Sequence, residues 1–169
     1  GDVYKRQELL GRIAGHFGLT LEQFFSKAPA PVGRADGARM IPVISRSAKG
    51  DPGRLADGAF PARDVEGSMA VGGDLAAAAA FAFRIRGDSM EAHFSDGDMV
   101  MCSTSDLPAA GDAVVARIRS GGVVCRMLRI DGDRPSLKAL KTDSPVKACS
   151  RKDILWMYPV VFSQRREKR

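Results

Sequence analysis

Through the second half of the chain apolar and polar positions alternate, and that period predicts strands. Phe81, Phe83 and Ile85 interleave with Ala82, Arg84 and Arg86, which predicts a half-buried strand. Further strands are expected over 98–102, 112–119, 123–129, 136–140 and 154–162. Ser120, Gly121 and Gly122 supply one hairpin turn, and Asp131, Gly132 and Asp133 a second. Pro159 interrupts the last strand and favours an edge position or a bulge. Upstream, residues 41–44 read as a short apolar strand and 49–63, rich in Gly, Pro and Asp, as an exposed loop. The alanine-rich run 74–80 fits either one helical turn or a connector. Near the start the period changes. Leu9, Leu10, Ile13 and Phe17 recur at helical spacing and predict a helix over 8–17, stopped by Gly18. Thr20 with Gln23 three residues on is a capping-box pattern. It opens a second short helix, 21–26, burying Leu21, Phe24 and Phe25. Two helices this short cannot bury their faces alone.

This pattern divides the chain into a helical remnant (1–26, of which 1–7 reads as a junction artefact), a Pro-, Gly- and Ala-rich linker (27–40), a mostly β domain (41–163) and a basic tail (164–169). A chain of 169 residues holds one ordinary domain with a short appendage, and 44% hydrophobic residues suffice for a packed core. The longest apolar stretch, 75–83, is mostly alanine and too short to span a bilayer, so no membrane role is expected. Three cysteines, at 102, 125 and 149, form no CxxC pair, which argues against a disulfide scaffold or zinc knuckle and suits a reducing cytoplasm. With two histidines, His16 and His93, a multi-histidine metal site is excluded, and no metal or cofactor is expected. Because the chain begins with Gly1, it reads as a fragment.

The net charge of +6 is uneven. Residues 1–54 carry nine Lys/Arg against five Asp/Glu, 165–169 carry four against one, and the stretch between is nearly balanced. A neutral body with basic ends fits a nucleic-acid partner held through the N-terminal part, although a short basic tail by itself is usually a solvated one.

Three stretches then become specific: FAFRIRGDSME at 81–91, DGDMV at 96–100 and GDAVV at 111–115. In this order they closely resemble the LexA and lambda-repressor peptidase family, over about residues 41–163. The resemblance implies a LexA-like β-fold preceded by the last two helices of a lambda-repressor-like helix-turn-helix domain. It implies a transcriptional repressor of the phage or damage-response type that binds DNA through its N-terminal domain and acts as a homodimer. It also implies inactivation by self-cleavage in response to a damage-induced recombinase filament. In such a family Ser89 is the nucleophile, in a turn with Asp88 and Met90 whose N–H groups could form an oxyanion hole. The scissile region maps to Ala48, Lys49 and Gly50. A signal-peptidase relative shares serine–lysine chemistry but would carry an apolar run of about 20 residues.

Two positions depart from the family pattern. A serine nucleophile needs an adjacent base, and the family's lysine position is taken here by Arg126, 37 residues after Ser89. Arginine stays protonated near neutral pH and accepts no proton. Lys138 and Lys141 lie further along and are alternative amines. At the scissile bond the family's small residue is replaced by Lys49, which would bring a charge into a pocket shaped for a methyl group. Both departures lead us to expect a peptidase domain deficient in self-cleavage; the alternative is an active Ser/Lys peptidase. Bland readings exist for each feature. Asp88 and Glu91 form a helix-capping pair on paper. Ser89, His93 and Asp96 lie too close together for a triad. Cys125 and the methionines read as packing. Trp156 and Tyr158 read either as core or as a subunit contact.

Overall fold

A computed structural model describes residues 38–58, 60–141 and 149–167, all within the unit Asp36–Arg169. The helices expected over 8–17 and 21–26, and most of the expected linker, lie outside the described residues. The domain is mostly β. Its strands are β1 (Arg39–Ile44), β2 (Val65–Val71), β3 (Phe81–Arg84), β4 (Met99–Cys102), β5 (Ala113–Ile118), β6 (Gly122–Asp131), β7 (Arg134–Lys138), β8 (Cys149–Ser150) and β9 (Ile154–Gln164). They form one sheet in the order β2-β1-β3-β4-β9-β5-β6-β7-β8. Only β1 and β3 pair in parallel; the other neighbours are antiparallel.

β9 joins the two halves. Its first part, to Pro159, pairs with β5, and its second part, from Val160, pairs with β4. Pro159 therefore stands in the middle of the sheet, not at an edge, where the strand changes partner and its missing N–H is tolerated. The register shifts just beyond it, between Met101 and Cys102. β3 also differs from the half-buried expectation. Phe81 and Phe83 face one apolar cluster and Ala82 a second, and all three are buried. The second cluster (Ile41, Val43, Val71, Ala82 and Met101) is covered by Leu75 and Ala76 of a short helix, α1 (Asp74–Ala78).

The main cluster draws Phe81, Phe83 and Val100 from one half and Val115, Cys125 and Trp156 from the other. Burial of this surface, at about 25 cal/mol per Å², holds the halves together. β2 was not expected from sequence. It is an edge strand with Glu66, Gly67, Ser68 and Ala70 exposed, so it carries little apolar signal.

Candidate active site

Ser89 stands on the turn that leaves β3. Gly87 reverses the chain there at φ 81°, in the left-handed region that suits glycine. Its N–H donates to the Asp96 carboxylate at 2.7 Å. Below the turn, Ile85 and Asp98 extend the β3–β4 pairing. Met90 is fully buried, and its carbonyl accepts the Phe94 N–H at 2.7 Å. The packed Met90 and Phe94 side chains clamp the turn from beneath and leave Ser89 half-buried at a cavity. The Ser89 carbonyl accepts the N–H groups of Leu140 and Lys141, at 2.9 and 3.1 Å.

Arg126 reaches the serine from β6, where it pairs with Val114. Its Nη1 donates to Ser89 Oγ at 2.9 Å and to the Cys125 carbonyl at 2.7 Å. Burial lowers the Arg126 pKa, and the charge of Arg46 adds to the effect against the two neighbouring thiols. A guanidinium nonetheless stays charged near neutral pH. Burial pushes the Cys125 thiol up to about 12, which leaves it neutral and inert.

The other candidates are placed as follows. Asp88 pairs its carboxylate with Lys141, and that pairing lowers the Asp88 pKa and raises that of Lys141. Lys141 is thus held as an ammonium, the wrong form for a base. The capping pair of Asp88 and Glu91 is not made through the side chain: the Glu91 N–H donates to the Asp88 carbonyl. Lys138 is exposed on β7, opposite Met127, and makes no bond to Ser89. His93 is exposed and lies edge-on to Phe94, while Asp96 is taken by Gly87, so Ser89, His93 and Asp96 form no triad. Trp156 and Tyr158 are core residues, both edge-on to Phe81 with ring centroids 6.4 and 5.9 Å away.

The segment 46–51 lies across the other strands. The Arg46 carbonyl accepts the Val123 N–H at 2.9 Å. A Cβ on Gly122 would lie 2.6 Å from that oxygen, so the close approach requires glycine. Ala48 is fully buried in the same cluster as Met90. Lys49 is exposed, so this arrangement does not place its ammonium in an apolar pocket. The N–H groups of Lys49 and Gly50 both donate to the buried Asp64 carboxylate, at 2.9 and 2.8 Å. The Lys49 carbonyl accepts from Arg117 at 2.6 Å and the Gly50 carbonyl from Trp156 Nε1 at 3.0 Å. Tyr158 donates to Asp51 at 2.6 Å. Among the described residues, then, Ser89, Arg126, Asp88 and Met90 come together, while the Lys49–Gly50 peptide bonds to Asp64, Arg117 and Trp156 and not to Ser89. Asp64, Arg117 and Arg46 were not singled out from sequence.

Residues 42–160 match the Peptidase S24-like family. The chain belongs to this family. It is 33% identical over 99 residues to a LexA repressor of Desulfatibacillum aliphaticivorans, covering 58% of this chain and 46% of that protein. The chain therefore spans about half the length of that relative. Within the S24-like domain no described helix is long and apolar enough to cross a membrane.

Proposed function

We propose that the chain is part of a cytoplasmic DNA-binding transcriptional repressor whose S24-like domain pairs subunits and does not cleave its own chain. Residues 1–26 would belong to the DNA-binding domain, 27–40 to a linker, 41–163 to the pairing domain and 164–169 to a basic tail. Two paired subunits would read two half-sites together. A damage-induced recombinase filament, the trigger that the family resemblance implies, would find no cleavage to trigger here.

One observation carries this reading. The group hydrogen-bonded to Ser89 Oγ is the Arg126 guanidinium, at 2.9 Å. It donates and cannot accept the hydroxyl proton. The two lysines nearby give no substitute, since Lys141 is paired with Asp88 and Lys138 makes no bond to the serine. The four tethers on Lys49 and Gly50 add a second obstacle, because the bond must leave them to reach Ser89.

The test is incubation of the chain at about pH 10, which deprotonates about 30% of a lysine of pKa about 10.4 but essentially no arginine. The unmodified chain is expected to stay intact over hours. Arg126→Lys with Lys49→Ala should restore cleavage at the 49–50 bond, and Ser89→Ala in that background should remove it. A positioned base contributes about 10² to 10⁴ in rate, so the revertant is distinguishable. Cleavage of the unmodified chain that Ser89→Ala stops would overturn the reading and make Lys141 the base to examine.

A further inference from the structure

We infer that the cavity over Ser89 is a receptor for a small oxyanion, a carboxylate or phosphate group on a compact body, gripped by Arg126 with Arg46 and Arg86. The inference rests on the reading that this site does not cleave, and gives the retained site a ligand.

The cavity has a volume of about 290 Å³, near the lower end for small-molecule sites and equal to roughly ten waters at about 30 Å³ each. Three arginines line it, Arg46, Arg86 and Arg126, together with Ser89, to which Arg126 is hydrogen-bonded. Asp88 is the one carboxylate in its lining, and that carboxylate is paired with Lys141. The ion pairs among the described residues are Arg84–Glu66 and Lys141–Asp88, so none of the three arginines has a carboxylate partner there. Arg46 and Arg86 are exposed, but Arg126 is half-buried, where a guanidinium without a counter-charge is costly. Arg46 lies close enough to oppose the charge on Arg126. One added anion would relieve both.

The hydrogen-bond inventory points the same way. A guanidinium carries five N–H donors in a planar fork. Arg126 uses Nη1, on Ser89 and on the Cys125 carbonyl. Its other nitrogens have no acceptor among the described residues, yet none of them is sealed from solvent without a partner. They are left for a group that enters the cavity. Such a fork matches carboxylate and phosphate oxygens two at a time. The apolar lining residues Phe83, Ile85, Met90 and Val123 are already almost wholly covered, so the polar groups of the cavity carry the recognition. Replacing a base by arginine thus turns a site for proton transfer into one for holding an anion.

Calorimetric titration of the whole chain with inorganic phosphate, and separately with benzoate, at constant ionic strength set by chloride, tests this. We expect saturable binding, one anion per chain, at millimolar concentrations or below. Arg126→Met should weaken it about 10- to 100-fold, the size expected for a charged hydrogen-bonded pair, and Arg46→Met by a smaller factor. Tighter binding of benzoate than phosphate assigns the site to a planar carboxylate; the reverse assigns it to a tetrahedral anion, and either supports the receptor. If Arg126→Met fails to fold by circular dichroism, the pair Arg46→Met and Arg86→Met carries the test. No saturable binding of either anion, or equal binding by the folded variants, overturns the inference. Binding is read without any cleavage, so this failure is separate from Ser89-dependent cleavage, which would overturn the functional reading instead.

Discussion

A guanidinium N–H and a serine O–H are both donors, so the bond between Arg126 and Ser89 uses a serine lone pair, and among the described residues no acceptor takes the serine proton. The same accounting applies to Asp64. Its buried carboxylate takes the N–H groups of Lys49 and Gly50 on one oxygen. Asp64→Ala removes the acceptor and leaves two donors unpaired in a half-buried turn. We expect a loss of about 2–4 kcal/mol, since a hydrogen bond to a charged group contributes about 1.5–3 kcal/mol. A lower urea midpoint with an unchanged slope, and faster proteolysis within 46–51, would check it. An unchanged midpoint would remove Asp64 as the anchor. Ser89 and its turn were legible in the sequence because they sit in a contiguous motif with fixed flanks. Asp64 and Arg117 were not. They meet Lys49 from 15 and 68 residues away, and only the folded strands bring them there.

Among the elements, β9 has the most to explain. It lies in the interior of the sheet, yet Leu155, Val161 and Phe162 on it are exposed, at 43, 37 and 51%. These exposed positions on β9, rather than the buried Trp156 and half-buried Tyr158, are the ones we propose for the subunit pairing. Phe162→Glu should shift sedimentation toward the monomer by at least tenfold in dissociation constant while leaving the circular dichroism unchanged. A variant that associates like the parent would place the contact elsewhere. β9 also carries a pH response. Burial, then the hydrogen bond to Asp51, raises the Tyr158 pKa above its ordinary value near 10. A raised folded pKa means stability that is complete below the unfolded value and is lost as pH climbs past it. Thermal melts should therefore fall above about pH 10, and Tyr158→Phe should flatten that fall; an equally steep fall would assign it to other groups. Strands buried on a core face showed themselves by alternation. β2 did not, because an edge strand with polar residues on it has no contrast to show, and β3 misled because α1 buries its second face.

At the scale of the molecule, two half-sheets share one strand and one core. Phe81 is fully buried at the centre of the main cluster and touches both rings on β9. Phe81→Ala should cost about 3–5 kcal/mol. Because the cluster spans both halves, hydrogen exchange should accelerate in β4 and in β5 together; acceleration confined to β3 and β4 would mean that the halves are stabilised separately. The shared core also bears on how the molecule can be watched. The sequence contains a single tryptophan. Its indole N–H is bound to the Gly50 carbonyl, next to the Lys49–Gly50 peptide. When that peptide leaves its tethers, the indole loses its acceptor and meets water. The protein thus carries an intrinsic optical probe of the 46–51 segment, and fluorescence can follow the segment's departure in solution without a label and without any bond being broken.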